Sequence, residues 1–336
     1  MKNVSKLALV VAAGMMSAGA HAASIEIGED TTMSLEGEFN AFYLDRDTVD
    51  TDAFDGVNVE TNEDAEDNAD DLTGALEFEL SAVRSFDNFD AYVTGIFEFT
   101  TLEDGGSSLD SDEAVGGLKG NFGQIELGHT DSVYEDLIHD AVDPFEEATL
   151  SDSSIGLDED TMITYYTPEV NGFSANLQMG YEDEAQEGVG ESESALIASA
   201  AFDFGAGAIH VGYDDLGTNP DSDDDITGIA AIFNVGQSAE LAVNHEMQTI
   251  ADEDIDFTGA ALTVDYGGGN VYGAVKDISV DSGPDKGNEF SQYAVGIDYD
   301  IESDWKIWAE IANFDGDDAG DDAPDSLMGF GTEYKF

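Results

Sequence analysis

The sequence predicts an all-β fold, a transmembrane antiparallel β-barrel of sixteen strands with long external loops. Three observations predict it. Apolar and polar residues alternate with period two in segments of about ten residues, as a strand with one greasy and one wet face requires. The connections alternate between tight turns and long acidic loops, which puts all short turns at one end of the sheet. After the first residues, no segment approaches the roughly 18 to 20 continuous apolar residues that a spanning helix needs.

The chain opens with MKNVSKLALVVAAGMMSAGAHA. Lys2 and Lys6, the apolar run from Leu7 to Met16, and Ala20 and Ala22 around His21 read as a secretory leader cleaved after Ala22. Residues 23–336 are then the barrel. The first strand, 33–44, sets Met33, Leu35, Phe39 and Tyr43 against Ser34, Glu36, Glu38 and Asn40. An acidic loop, 45–71, follows. Strand two, 72–84, puts Leu72, Leu76, Phe78 and Leu80 on one face and Thr73, Glu77, Glu79 and Ser81 on the other. Strand three, 89–101, opposes Val93, Phe97 and Phe99 to Tyr92, Thr94 and Glu98. The same reading gives strands near 112–121, 123–130, 160–168, 172–182, 193–204, 206–215, 226–235, 237–249, 254–266, 268–279, 288–300, 302–314 and 325–336. Tight turns fall at Gly123, Asn171-Gly172, Gly205, Gly236, Gly267 to Gly269 and 301–304.

Alternation alone does not separate a barrel from a soluble sandwich. Glutamates recur inside the strands, at Glu36, Glu38, Glu77, Glu79, Glu98, Glu126 and Glu310, and each needs a wet lumen or a solvent face. The last strand, SLMGFGTEYKF, places Met328, Phe330, Tyr334 and Phe336 on one face and stops on the aromatic residue. Aromatic girdles mark where barrel walls meet lipid headgroups.

There are 76 Asp plus Glu against 9 Lys plus Arg, and seven of the nine remain once the leader is removed. Such a chain is no partner for nucleic acid, whose phosphates demand a basic surface. Its self-repulsion is relieved in molar salt, where the Debye length shrinks to about 3 Å, so the acidity reads as adaptation to a saline exterior. No cysteine is present, so the exported chain holds together without disulfides. His129, His139, His210 and His245 show no metal-ligand spacing, and nothing singles out a nucleophile: an enzyme is not expected, nor a cofactor. The Asp-rich runs 221–225 and 315–325 lack the order of an EF-hand loop, so no specific metal site is expected.

The stretch 131–159, DSVYEDLIHDAVDPFEEATLSDSSIGLDE, is a long interruption in an otherwise tightly punctuated chain. Around it, GLKGNFGQIELGHTDSVYEDL from Gly117 and ITYYTPEVNGFSANLQMGYED from Ile163 resemble the general trimeric porins of Gram-negative outer membranes, and GFGTEYKF completes the likeness. The resemblance implies that the third external loop folds into the barrel and narrows it, with Asp140, Asp143, Glu146 and Glu147 as constriction acids. It implies a homotrimer in outer-membrane lipid and lipopolysaccharide, and a terminal signal on Phe330, Tyr334 and Phe336 read by the barrel-assembly machinery. The family's basic wall positions fall on Glu38, near Ala75, and near Asp112 or Glu113, none of them basic. A lumen negative on both sides is therefore expected, with Glu36, Glu38, Glu77, Glu79, Glu98 and Glu126 on its wall and cations favoured. Arg84, Lys119, Lys306 and Lys335 read as rim charges at the short-turn end or as contacts to lipid phosphate. The expected function is passive diffusion of inorganic cations and small hydrophilic solutes. The alternatives are a substrate-specific channel, or a secreted acidic β-protein that binds divalent cations or glycans.

Overall fold

The computed structural model of the chain describes residues 23–27, 30–46, 57–58, 70–101, 107–148, 150, 152–153, 160–180, 195–215, 224–250, 253–283, 286–316 and 326–336. The expected leader, 1–22, and most of the acidic loop sequence lie outside them. In chain order the strands are β1 (Ala23–Glu26), β2 (Thr31–Arg46), β3 (Val57–Asn58), β4 (Asp70–Ser85), β5 (Phe89–Thr101), β6 (Ser107–Gly120), β7 (Gly123–Thr130), β8 (Asp152–Ser153), β9 (Asp160–Tyr166) and β10 (Phe173–Gly180). They continue as β11 (Leu196–Asp203), β12 (Gly207–Asp214), β13 (Asp225–Asn234), β14 (Ala239–Ile250), β15 (Glu253–Asp265), β16 (Asn270–Val280), β17 (Glu289–Glu302), β18 (Trp305–Gly316) and β19 (Ser326–Lys335).

Sixteen of these, β2, β4 to β7 and β9 to β19, pair antiparallel with their neighbours in one sheet. The sheet closes where β19 meets β2, from Leu327↔Arg46 to Lys335↔Glu38. Gly37 and Phe336 complete the seam by exchanging N–H···O bonds of 2.8 and 2.7 Å. The short β1 pairs with β2 beyond the point where β19 ends, from Ala23↔Leu35 to Glu26↔Thr32. Among the described residues, closure leaves the sixteen-stranded ring without a free edge, the condition for a sheet to sit in lipid.

Period-two alternation decides which face is which. Val93, Phe97, Leu127, Leu177, Val211, Val275, Val295 and Ile311 are exposed on the outside of the ring, and the buried side chains are inside. A soluble sandwich would bury such a belt, because a contiguous apolar surface beyond a few hundred Å² is rare on soluble monomers. The secreted-protein alternative loses its structural basis here. No helix among the described residues is long and apolar enough to cross a membrane, which says nothing against strands.

Several strand boundaries differ from the sequence expectation. β6 begins at Ser107, and Ser108 and Asp110 pair with Thr100 and Glu98. β2 and β4 likewise run on as far as Asp45↔Asp70. Asp and Glu are ordinary loop signals, and here the ladder carries them at its long-loop end. At the long-loop end, the connection between Ile250 and Glu253 is only two residues.

The terminal aromatics lie on the outer face. Phe336 covers Gly37, where a Cβ would stand 2.5 Å from its ring, and its centroid is 6.3 Å from that of Phe78 and 6.1 Å from that of Tyr334. Tyr334 in turn meets Trp305 at 6.3 Å, and Phe330 meets Tyr43 at 5.3 Å. Aromatic pairs are worth about 0.5–1.5 kcal/mol each, so F336A is expected to lower barrel stability by about 1–3 kcal/mol. Urea unfolding in detergent micelles reads the loss; a midpoint equal to that of the parent would show that the seam does not depend on the ring.

Candidate functional site

The stretch after β7 folds into the barrel. Residues 131–134 lead into a one-turn helix α1 (Glu135–Ile138) and a 3-10 turn, Asp140–Val142. Ser132 starts α1: its carbonyl accepts from Asp136 N–H at 3.2 Å, and its hydroxyl accepts from Tyr134 N–H at 3.2 Å. Pro144 forbids a further helical turn. The Asp143 carboxylate then accepts from the N–H groups of Phe145 (3.0 Å) and Leu150 (3.3 Å), curling 143–150 into a compact tip.

The wall beneath this loop is made of small residues. Gly212 and Gly228 are cross-strand partners. A Cβ on Gly212 would stand 2.6 Å from the Tyr134 ring, and one on Gly228 would overlap the Tyr134 hydroxyl. Farther round the ring, Ala242, Ala261, Ala274, Ala294 and Ala312 are successive register partners across β14 to β18. All five are buried and form one cluster with Val142, Ala148 and Leu150 of the loop. Val133, Tyr134 and Ile138 pack against Met162, Ile197, Ile226 and Ala230.

Two buried wall carboxylates hold the loop. Glu246 on β14, 0% exposed, receives the Tyr134 hydroxyl (3.1 Å), the Ser153 hydroxyl (2.7 Å), Asn244 Nδ2 (3.0 Å) and His139 Nε2 (2.8 Å), with Lys276 Nζ at 3.7 Å. Burial and the Glu246 charge raise the Tyr134 hydroxyl far above its ordinary pKa, so it stays a donor. Glu310 on β18, 2% exposed, accepts the backbone N–H groups of Glu146 (2.9 Å), Glu147 (3.0 Å) and Ala148 (3.0 Å) and the Tyr272 hydroxyl (2.7 Å). Smaller ties include Val133 N–H to Gln178, Asn244 to the Ile138 carbonyl and His210 Nδ1 to the Leu137 carbonyl. β8 on the returning leg of the loop pairs with β3, which lies between β2 and β4.

The expected constriction acids separate into different environments. Asp140 is exposed. Asp143 is a turn-forming acceptor: burial pushes its carboxyl up to about 6 against the two N–H groups it binds. Glu146 is paired with Lys306 at 2.6 Å, and Glu147 lends its N–H to Glu310. Asp136, absent from the expected set, stands beside them. Loss of hydration in the confined lumen, then the fields of Asp140, Asp131, Glu113 and Glu126, push its carboxyl up to about 6.

The expected wall acids all point inward. Glu36 and Glu38 stand opposite Glu79 and Glu77, and Glu77 stands opposite Glu98. Glu79 and Glu98 accept from Ser81 (2.6 Å) and Thr100 (2.5 Å). Glu126 differs: it is 7% exposed and enclosed by Tyr92, Tyr166 and Gln124. Two lysines read as rim charges also point inward. Lys306 binds Glu146 and Glu333, and Lys335 binds Glu333 and Glu38. The wall therefore carries cations on β18 and β19, beside the acids, which corrects the expectation of a wall without them. Arg84 stays at the short-turn end, 5.2 Å over the Phe86 ring.

The model of the Gram-negative porin family matches residues 8–336. Two curated relatives are each 25% identical over 364 residues, covering 94% of this chain and 96% of theirs: the "Monosaccharide porin" of a Halomonas species and the "Major outer membrane protein" of Halomonas elongata. Among solved structures, an engineered variant of the Rh. blastica porin superposes with a TM-score of 0.69 at 14% identity, covering 90% of this chain and 100% of that one. A loop-deleted OmpT of Vibrio cholerae gives 0.65 at 17%, covering 92% and 100%.

Two outcomes follow from this geometry. E310A leaves three N–H groups without their acceptor and should loosen the loop tip by about 3 kcal/mol, with E310Q intermediate because one oxygen remains. Single-channel records should then show broadened open-level fluctuations; an unchanged open level would mean that Glu310 is not the anchor. The raised Asp136 carboxyl is favoured in its neutral form: its contribution to stability is complete below the ordinary aspartate pKa and is lost as pH rises through about 6. Asp143 shares that range, so acidifying from pH 7.5 to 5 should remove two loop charges with midpoints near 6, read as a drift of the reversal potential toward anions that D136N reduces and D136N/D143N lacks.

Proposed function

The chain belongs to the Gram-negative porin family, and from that premise we propose that its lumen passes inorganic ions and small hydrophilic solutes by passive diffusion with a preference for cations. The observation that supports the preference is the run of acids on the inward face of β2, β4 and β5, where Glu36 and Glu38 stand opposite Glu79 and Glu77. Glu77 stands level with Glu98 on that wall, and the Asp136 carboxyl on the loop adds to the field of Glu113 beside it. Carboxylates concentrated in a narrow aqueous passage raise the local density of cations and lower that of anions. No reacting group is involved: the loop sets the width and the wall sets the sign. As family expectations, the channel works as a homotrimer in outer-membrane lipid and lipopolysaccharide, inserted by the barrel-assembly machinery through its terminal aromatic strand. The surplus of acidic residues suits a saline exterior.

A second reading, a channel selective for one class of solute, is favoured by two observations. One relative is named a monosaccharide porin. The lumen face also carries more aromatic residues than the sequence pattern suggested: Phe42 beside Trp308, Phe145 beside Tyr272, and Tyr92 and Tyr166 at Glu126. Sugars stack on such rings, but Trp308 and Tyr272 are almost fully covered, so general diffusion is the better-supported function.

Reversal potentials across a planar bilayer under a salt gradient test the charge argument. Cation preference is expected at 0.1 M salt and should fall several-fold at 1 M, where the Debye length is about 3 Å. Anion preference at low salt would overturn it. Saturable block of single-channel current by one monosaccharide, without block by a charged solute of equal size, would favour the second reading.

A further inference from the structure

Basic side chains are scarce in this protein, with 9 Lys plus Arg in 336 residues, so each that faces the passage weighs heavily on its field. Lys276 is sealed beneath the loop at 0% exposure. Lys306 and Lys335 are not. Lys306 Nζ lies 2.6 Å from Glu146 Oε1 and 2.7 Å from Glu333 Oε2. Lys335 Nζ lies 3.1 Å from Glu333 Oε1 and 3.1 Å from Glu38 Oε2. The five groups form one band of alternating charge from the loop tip, across β18 and β19, to β2. Register supports it: Lys306 stands opposite Glu333, and Lys335 opposite Glu38. Beyond Glu38 the row continues as Glu77 and Glu98, and among the described residues no lysine or arginine pairs with either.

We propose that Lys306 is a specificity-determining residue of this channel, one that moderates its cation preference from the loop tip. The proposal rests on the cation-preferring reading above. The ammonium acts twice in the same direction: it supplies a positive charge at the edge of the passage, and it draws the Glu146 carboxylate onto the wall. Removing it deletes one cation and releases one anion. The loop itself does not depend on it, because Glu310 holds the backbone of residues 146–148 through three N–H bonds. Loss of Lys306 should therefore change the charge seen by a passing ion more than the width it passes through.

The test compares the parent channel with K306M, K306R and K306M/E146Q in planar bilayers. At 0.1 M KCl, K306M should raise the cation-to-anion permeability ratio about two- to fivefold, while its unit conductance in 1 M KCl stays within about a quarter of the parent's. K306R should keep the parent ratio. Adding E146Q to K306M restores the charge count and should bring the ratio back. An unchanged ratio in K306M, or a shift toward anions, overturns the proposal. So does a large conductance change at constant ratio, which would make Lys306 only a tie for the loop. If K306M does not assemble, K306Q gives the same comparison. Anion preference in the parent alone would defeat the earlier reading of the lumen, whereas the shift between parent and K306M judges Lys306 whatever the parent's sign.

Discussion

Everything inside this barrel depends on two carboxylates that cannot reach water. Glu246 and Glu310 project from the wall into space that would be lumen, and each is closed over by the loop that binds it. An ionised carboxylate kept from water is tolerated only if donors replace its hydration shell. The donors here are almost all loop atoms or neighbours held by them: a tyrosine, a serine, a histidine and three consecutive backbone N–H groups. Loop and wall thus satisfy each other. The loop needs somewhere to place its amide groups, and the wall needs those amides to bury its acids.

Charge is then divided by position. Where the loop lies on the wall, acids are matched: Glu246 with its donors and Lys276, Glu310 with the tip backbone, Glu146 and Glu333 with Lys306. Where the wall faces open lumen, on β4 and β5, Glu77, Glu79 and Glu98 have hydroxyl or carboxylate neighbours and, among the described residues, no cationic partner. Acids that hold the loop and acids that face open lumen are therefore different residues, although the composition presents them as one surplus.

The barrel was legible in the sequence because alternation, turn chemistry and the terminal aromatics all agreed; Glu77, Phe78 and Glu79 state inside and outside within three residues. Strand ends were less legible. Asp70 and Asp110 belong to strands, yet aspartate argues for a loop. The position of the loop was plain from its length, but its contents were not. A single helical turn and a two-residue strand carry no periodicity to detect. Lys306 and Lys335 lie close in sequence to a short turn and so read as rim charges or contacts to lipid phosphate, whereas parity with Glu310 and Glu333 turns both inward. Glu246 does not stand out among 76 acidic residues. A signal for the seat did exist: once the register is drawn, the inward positions of β12 to β18 contract to Gly212, Gly228, Ala242, Ala261, Ala274, Ala294 and Ala312.

That row of small side chains has a consequence for how the channel can vary. An alanine that supports a packed loop cannot enlarge without lifting the loop, and overpacking of this kind costs about 1–3 kcal/mol. It cannot usefully shrink either, because one methyl is already near the minimum. The supported half of the cross-section is therefore rigid to mutation, a fixed jaw. The free jaw is β2 and β4 to β6, where Glu77, Glu79 and Glu98 are only partly buried and take no part in seating the loop. Differences in bore or solute preference between this channel and its relatives can accumulate there without unseating anything. The calibre of the passage is thus held by one arc of the ring and adjustable along the other.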